Sequence, residues 1–256
     1  MPVRTKIRRL IENLTGYRVH KFGTSLGLAD TRRPSSAWFS HMVTLRHVIA
    51  STDINLVLDV GANEGQFGLN LREQYRGDLI SFEPVSSAYA ALSATAKGDP
   101  RWHTVKCALG SRDETATINV ASATKFSSIL EANSFSKSRW GAQAAATRTE
   151  TIEVTRLETI LPTIVSDIDR RRILLKMDTQ GFDLQVFAGL GIVEKFIFAL
   201  QSEVSLIRIY EGCPSWIESI SSYERAGFGV AGLFPVSWSN GRVIEYDCVM
   251  IRAART

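Results

Sequence analysis

The sequence is poor in cysteine. Its three, Cys107, Cys213 and Cys248, form no C-x-x-C pair and have no histidine at metal-ligand spacing. That argues against a disulfide framework and a structural zinc site, and it fits a reducing, cytoplasmic compartment. Long apolar runs are missing too, since no stretch approaches the ~18 uninterrupted apolar residues of a spanning helix. The opening "MPVRTKIRRLIENL" lacks both a continuous apolar segment and a small-residue cleavage site, so no secretory signal is expected. A strong charge bias is also absent. A formal net charge of +4 is too mild to argue for nucleic acid, and no basic run with interleaved aromatics supports that partner.

What is present is ordinary globular material, 256 residues with 45% hydrophobic side chains, enough for one substantial core. Arg4, Lys6, Arg8, Arg9, Arg18 and Lys21, interleaved with Ile7, Leu10, Ile11 and Leu14, make a local basic concentration. Such a helix either docks by its apolar stripe or rests on an anionic membrane surface. Residues 1–50 therefore read as a helical extension, a substrate lid or a membrane-surface or oligomer contact, ahead of a domain over 51–256. "RRPSS" breaks this extension, with Ser35 or Ser36 as a helix cap.

Beyond residue 50 the pattern changes. "NLVLDV" (55–60), "DLISFEP" (78–84), "WHTVKCAL" (102–109), "RILLKMD" (172–178) and "FIFALQSEVS" (196–205) are short apolar runs separated by segments of helical period. Continuous apolar strands alternating with helices predict a mostly parallel sheet covered on both faces. Helices are expected from Gln66 to Tyr75, over 86–99 with Ser86 or Ser87 as cap, and over 180–191. "TATINVA" (115–121) and "TIEVTRLETIL" (151–161) read as an inserted strand pair framing a mobile polar connection (122–150) that acts as a lid. A last helix and a hairpin around Ser239, Asn240 and Gly241 close the chain.

The informative turn is "LDVGANEGQFG", Leu58 to Gly68, where the first strand meets a helix. Gly61 and Gly65 allow close backbone approach, the helix start favours an anionic group, and Glu83 lies 22 residues beyond Gly61, at the reach of ribose hydroxyls. A nucleoside joined to a charged group is expected at the carboxyl ends of the strands. A nicotinamide-dependent oxidoreductase wants a second close glycine where this chain has Asn63. A non-catalytic nucleoside-binding module is the other alternative.

"VLDVGANEGQF", "SFEP", "VKCALGSRDETATINV", "FSSIL", "VTRLETIL" and "LLKMDTQGFDLQVFAGL", in this order over about 55–205, resemble the FkbM family of S-adenosylmethionine-dependent methyltransferases. The resemblance implies an α/β class I methyltransferase (Rossmann-like) fold with a seven-stranded, mostly parallel sheet of order 3-2-1-4-5-7-6. It also implies methylation of an oxygen, frequently a hydroxyl of a sugar, glycolipid or other secondary metabolite. By match to the family's motifs, Asp59, Gly61, Ala62, Asn63 and Gly65 hold the methionine end, Glu83 with Pro84 the ribose, and the backbone at Ala108 and Leu109 the adenine. Gln180 stands where many members carry Glu, and Met177 where Ile is common.

Methyl transfer to a neutral hydroxyl profits from a positioned base. Asp178, ending the fourth strand beside the first, is the first choice, as base or as ligand of a divalent cation such as Mg²⁺; the alternative is an N-cap of the next helix. Glu203, ending the fifth strand, would line the acceptor side, unless it merely pairs with Arg208. Ser127 or Ser128 would touch cofactor or acceptor from the lid, where Lys125, Lys137, Arg139 and Arg148 would attract an anionic acceptor. His41 or His47 is held in reserve as base, whereas His20 and His103 have no expected role. Trp216, Trp238 and Tyr246 are candidates for a sugar-stacking face. The expected partner is a small-molecule, glycan or glycolipid acceptor, with room for peripheral membrane contact through the basic N-terminal helix and for a homodimer.

Overall fold

The computed structural model describes residues 35–253, with side chains from residue 40 onward; the basic N-terminal segment lies outside these residues. A compact unit begins at Ser40, ahead of the boundary expected at 51. Helix α1 (Ser35–Ser51) places Met42, Leu45 and Val48 in its core. Strand β1 (Leu56–Val60) leads through the glycine turn to α2 (Gln66–Arg72), then β2 (Asp78–Phe82), α3 (Ser86–Ala96) and β3 (Trp102–Val105). An insert follows, formed by β4 (Ala108–Leu109), β5 (Glu114–Ala121), α4 (Ser134–Trp140) and β6 (Ala146–Thr155). After α5 (Leu157–Ile164) come β7 (Ile173–Met177), α6 (Asp183–Ala188), β8 (Ile197–Ser205), α7 (Trp216–Arg225), β9 (Phe228–Ser239) and β10 (Arg242–Arg252).

Seven of these strands form one sheet in the order β3-β2-β1-β7-β8-β10-β9. Numbered along the chain within that sheet alone, the order is 3-2-1-4-5-7-6. The first five strands run parallel, and β10 is antiparallel to β8 and β9. All five residues of β1 and of β7 are buried, as continuous apolar strands require when helices cover both faces. Leu56, Leu58 and Val60 point to a core shared with Leu157, Leu161, Val186 and Tyr223. Val57, Leu79 and Leu174 point to the opposite one, with Leu45, Leu71 and Leu92. Each fully buried leucine contributes on the order of 2 kcal/mol. Strand order reverses between β1 and β7, which opens the ligand crevice above their carboxyl ends.

The insert departs from expectation. It is a three-stranded sheet, β4-β6-β5, not a strand pair. "WHTVKCAL" is two strands: β3 joins the main sheet, while Ala108 and Leu109 pair with Val154 and Thr155. "TIEVTRLETIL" changes at Arg156 from strand to α5, which a helical period beginning at Leu157 explains. The polar connection holds a 3₁₀ turn (Thr124–Phe126) and α4, whose Asn133 cap accepts from the Ser136 amide. Neither Ser86 nor Ser87 caps α3. Val85 is the N-cap residue, and the Glu150 carboxylate accepts the Ser86 amide at 3.0 Å.

Candidate active site

The glycine turn is built by backbone. Gly61, Asn63 and Gly65 have φ of 75°, 49° and 94°, the left-handed region that glycine adopts freely and asparagine tolerates. The amides of Gly61 and Ala62 both donate to the Phe82 carbonyl, that of Asn63 to Glu83 Oε2 at 2.8 Å, and that of Gly65 to the Ala62 carbonyl. So the amides of Gly61, Ala62, Asn63 and Gly65 are spent in holding the turn, and no side chain caps the start of α2. Glu83 also accepts from the Val85 amide at 2.9 Å, and burial pushes its carboxyl up to about 7 against these bonds. Asn63 Oδ1 is buried with no hydrogen-bond partner, an acceptor that a bound donor would satisfy. Two acceptors and a Cβ-free cradle suit a nucleoside with a charged tail.

Beneath the turn a row of polar side chains crosses one face of the sheet. Trp102 Nε1 donates to Ser81 Oγ at 3.0 Å, and Ser81 Oγ donates to Asp59 Oδ2 at 3.4 Å. Asp59, fully buried, pairs through Oδ1 with Lys176 Nζ at 2.9 Å. Strand pairing sets Lys176 beside Gln201, whose amide donates to Asp247 Oδ1 at 3.1 Å. Lys176 escaped the sequence reading. The signal was there: a lysine inside "ILLKM", a strand buried on both faces, must meet an anion.

The acceptor side is carboxylate-rich. Asp178 emerges at the end of β7 and Glu203 near the end of β8, and the Gln180 amide donates to both, to Asp178 Oδ1 at 2.8 Å and Glu203 Oε2 at 3.0 Å. Tyr210 donates its hydroxyl to Gln180 Oε1 at 2.8 Å, and Ser128 donates to the Gln180 carbonyl at 2.9 Å. Gln180 itself sits at φ 55°, a conformation costly enough to need these anchors. Burial raises the Glu203 carboxyl well above its usual range, and nearby Glu245, Asp178 and Asp247 add to it. Burial likewise lifts Glu245 to about 8 and Asp247 to about 7. Beside this group lies a cavity of ≈ 240 Å³ whose lining includes Asn119, Phe126, Lys137 and Tyr210.

Several expected roles fall elsewhere. Asp178 caps no helix: α6 starts at Asp183, which instead accepts from the Thr179 amide and hydroxyl and from Ser202. Asp183, unread in the sequence, thereby bolts the Asp178 loop to β8. Arg208 pairs with Glu218, not Glu203. Ser127 accepts from the Ala121 amide within its own turn, and Ser128 is the serine that reaches the site. Arg148 is taken by Glu150, while Lys125 and Arg139 lie over the rings of Phe126 and Trp140. Tyr246 packs into the core below α7, Trp216 is partly exposed, and among the described residues no ring contact joins either to Trp238. His103 is exposed.

Of the reserve histidines, His47 is exposed and His41 is buried over the polar row. His41 Nε2 donates to Gln201 Oε1 at 3.1 Å, its Nδ1 lies 3.6 Å from Asp247 Oδ2, and its ring stacks on Phe234. Burial lowers the imidazole to about 4, so it stays neutral near pH 7 despite the Gln201 contact. Among the described residues no group of three or more His, Cys, Asp or Glu is arranged to hold a metal ion, so the structure gives the expected Mg²⁺ no ligand set. No helix there is long and apolar enough to cross a membrane.

Residues 59–230 match the family model described as the methyltransferase FkbM domain. No curated relative matches the sequence. Among solved structures, the N-terminal domain of EvdMO1 in the presence of SAH and D-fucose is similar at 11% identity, covering 100% of this chain and 98% of that one, with a TM-score of 0.46. A rRNA methylase from Streptococcus thermophilus follows at 10% identity, 88% and 100% coverage and TM-score 0.45. The precorrin-6y C5,15-methyltransferase from Geobacter metallireducens GS-15 is similar at 7% identity, 91% and 96% coverage and TM-score 0.46.

Proposed function

The chain belongs to the FkbM methyltransferase family, and on that premise we propose that it is an O-methyltransferase acting on a hydroxyl of a sugar, glycolipid or similar polyhydroxylated metabolite. The observation that carries this reading is the Gln180 amide bridging Asp178 and Glu203 beside the glycine turn. Two carboxylates at that spot accept hydrogen bonds from hydroxyls, and one can take the proton lost as a C–O bond forms.

S-adenosylmethionine supplies the methyl group, carried on a sulfonium. Gly61, Ala62, Asn63 and Gly65 would lie against its methionine end, Glu83 beside Pro84 would accept from the ribose hydroxyls, and Ala108 and Leu109 would border the adenine. Asp178 is then the base: its side chain is 40% exposed toward the crevice, while Gln180 and Lys176 fix its direction. Glu203, whose charged form burial disfavours, hydrogen-bonds a neighbouring acceptor hydroxyl and orients it. The adjoining cavity, walled by Phe126 and Tyr210, takes the body of the acceptor. Most of the rate then comes from placing the hydroxyl about 3–3.5 Å from the methyl carbon, with water excluded.

Calorimetry with S-adenosylhomocysteine against NAD tests the class: micromolar binding of the first alone is expected, and no binding of it ends the methyltransferase reading. Screening methyl incorporation across monosaccharides, glycosides and glycolipids then identifies the acceptor. Glu83 adds a pH signature. Ribose hydroxyls donate to the ionised carboxylate, whose pKa in the free protein is about 7. Binding must therefore expel a proton at lower pH, and S-adenosylhomocysteine affinity should fall as pH drops below about 7, by up to about tenfold per pH unit. A Glu83→Gln variant should bind more weakly and lose that slope; an unchanged slope would remove Glu83 as its source.

A further inference from the structure

The resemblance places Asp59 at the cofactor's methionine end, yet the fold gives this carboxylate a cation of its own. Asp59 is 0% exposed, and Lys176 Nζ stands 2.9 Å from its Oδ1. The same ammonium is 3.4 Å from the Gly61 carbonyl and 3.6 Å from Asp178 Oδ2. The ammonium thus sits among three oxygens, hydrogen-bonded to the Gly61 carbonyl and ion-paired with the two carboxylates, and the Phe67 ring lies beside them at 5.4 Å from Nζ. Burial alone would drive the lysine toward its neutral form; Asp59, then Asp178, overcome this and hold its proton more tightly than usual. A second ammonium cannot approach Asp59 without meeting the first, because like charges at such separations repel strongly out of water.

We infer that Lys176 is a positioning residue of the methyl-transfer site, tying the carbonyl of the cofactor turn at Gly61 to the acceptor-side carboxylate of Asp178, and that Asp59 acts through Lys176 rather than as a ligand of the cofactor. The inference rests on the methyltransferase reading. Asp59 balances the charge of the lysine, while the contacts of the ammonium with Gly61 and Asp178, which do not need Asp59, do the positioning. One ammonium therefore links the two halves of the reaction, the grip on the methionine end and the direction of the base.

The test is a double-mutant cycle read by calorimetry with two ligands. One is S-adenosylhomocysteine and the other 5′-methylthioadenosine, which has the nucleoside and thioether but no amino acid end. Lys176→Met should weaken S-adenosylhomocysteine on the order of tenfold or more and leave methylthioadenosine within about threefold. Asp59→Asn, which leaves Lys176 between Gly61 and Asp178, should cost about threefold or less. Lys176→Met/Asp59→Asn should match Lys176→Met within about twofold. A selective loss in Asp59→Asn as large as in the double variant would make Asp59 a direct ligand and overturn the inference. Equal weakening of both ligands by Lys176→Met would reduce the lysine to a structural role and overturn it too. Should Lys176→Met not fold alone, the double variant, which leaves no unpaired charge at this pair, decides the question against Asp59→Asn. Wild-type protein that fails to bind S-adenosylhomocysteine overturns the methyltransferase reading and this inference with it.

Discussion

Asp178→Asn is expected to lower methyl transfer by about 10²–10⁴-fold, the usual contribution of a positioned base, while S-adenosylhomocysteine affinity stays within a few fold. The substitution keeps shape and one acceptor oxygen, so the Gln180 amide retains its 2.8 Å partner and Lys176 keeps Asp59. The capacity to take a proton disappears, together with the negative charge facing Lys176. Asp178 suits that role because it is the carboxylate of the group that combines exposure to the crevice with a cation at 3.6 Å. Burial and neighbouring carboxylates, Asp178 among them, push Glu203, Glu245 and Asp247 up and disfavour their charged forms. The rate is measured by transfer of a labelled methyl group to the acceptor found by screening, with both substrates saturating. A near-normal rate would remove Asp178 as the base.

The parts of the site that could be read from the sequence are those set by neighbours along the chain. "LDVGANEG" places an acid, two glycines and an αL asparagine within one turn, and "SFEP" ends the adjacent strand, so their meeting above the sheet follows from strand succession. The apolar runs alternating with helices made the mostly parallel sheet legible, while the strand order came from the resemblance to the family. What was not legible depends on register across distant strands. Asp247 stands opposite Glu203 only because β10 returns antiparallel to β8, and His41 reaches Gln201 across 160 residues. Arg208, five residues from Glu203, was the natural partner by proximity, but the capping box at Ser215 and Glu218 draws it away. The insert misled for a local reason. Its polarity looked like a loop, whereas β6 is largely exposed along one face and needs little apolar sequence.

The turn's geometry sets the second large effect. Gly61→Ala should abolish S-adenosylhomocysteine binding and destabilise the fold by about 3 kcal/mol or more, among the upper values for single substitutions. A Cβ at Gly61 would lie 2.1 Å from the Asp178 carbonyl oxygen and 2.9 Å from its carbon, both backbone atoms, with φ at 75°. Nothing there can rotate aside. Relief requires the ends of β1 and β7 to part, which strains the bond from the Asp178 amide to the Val60 carbonyl and carries Asp178 away from the turn. The grip on the cofactor and the base would therefore fail together. Gly65 is the control, because φ there is 94° but a Cβ would meet only side chains, Leu92 at 3.1 Å, Thr95 at 3.2 Å and Trp102 at 3.3 Å. Gly65→Ala should cost about 1–2 kcal/mol from the left-handed backbone and leave measurable binding. Denaturant unfolding and calorimetry on the two variants give the comparison. If Gly61→Ala bound the ligand as tightly as Gly65→Ala, the contact between the glycine turn and Asp178 would not be what shapes the crevice.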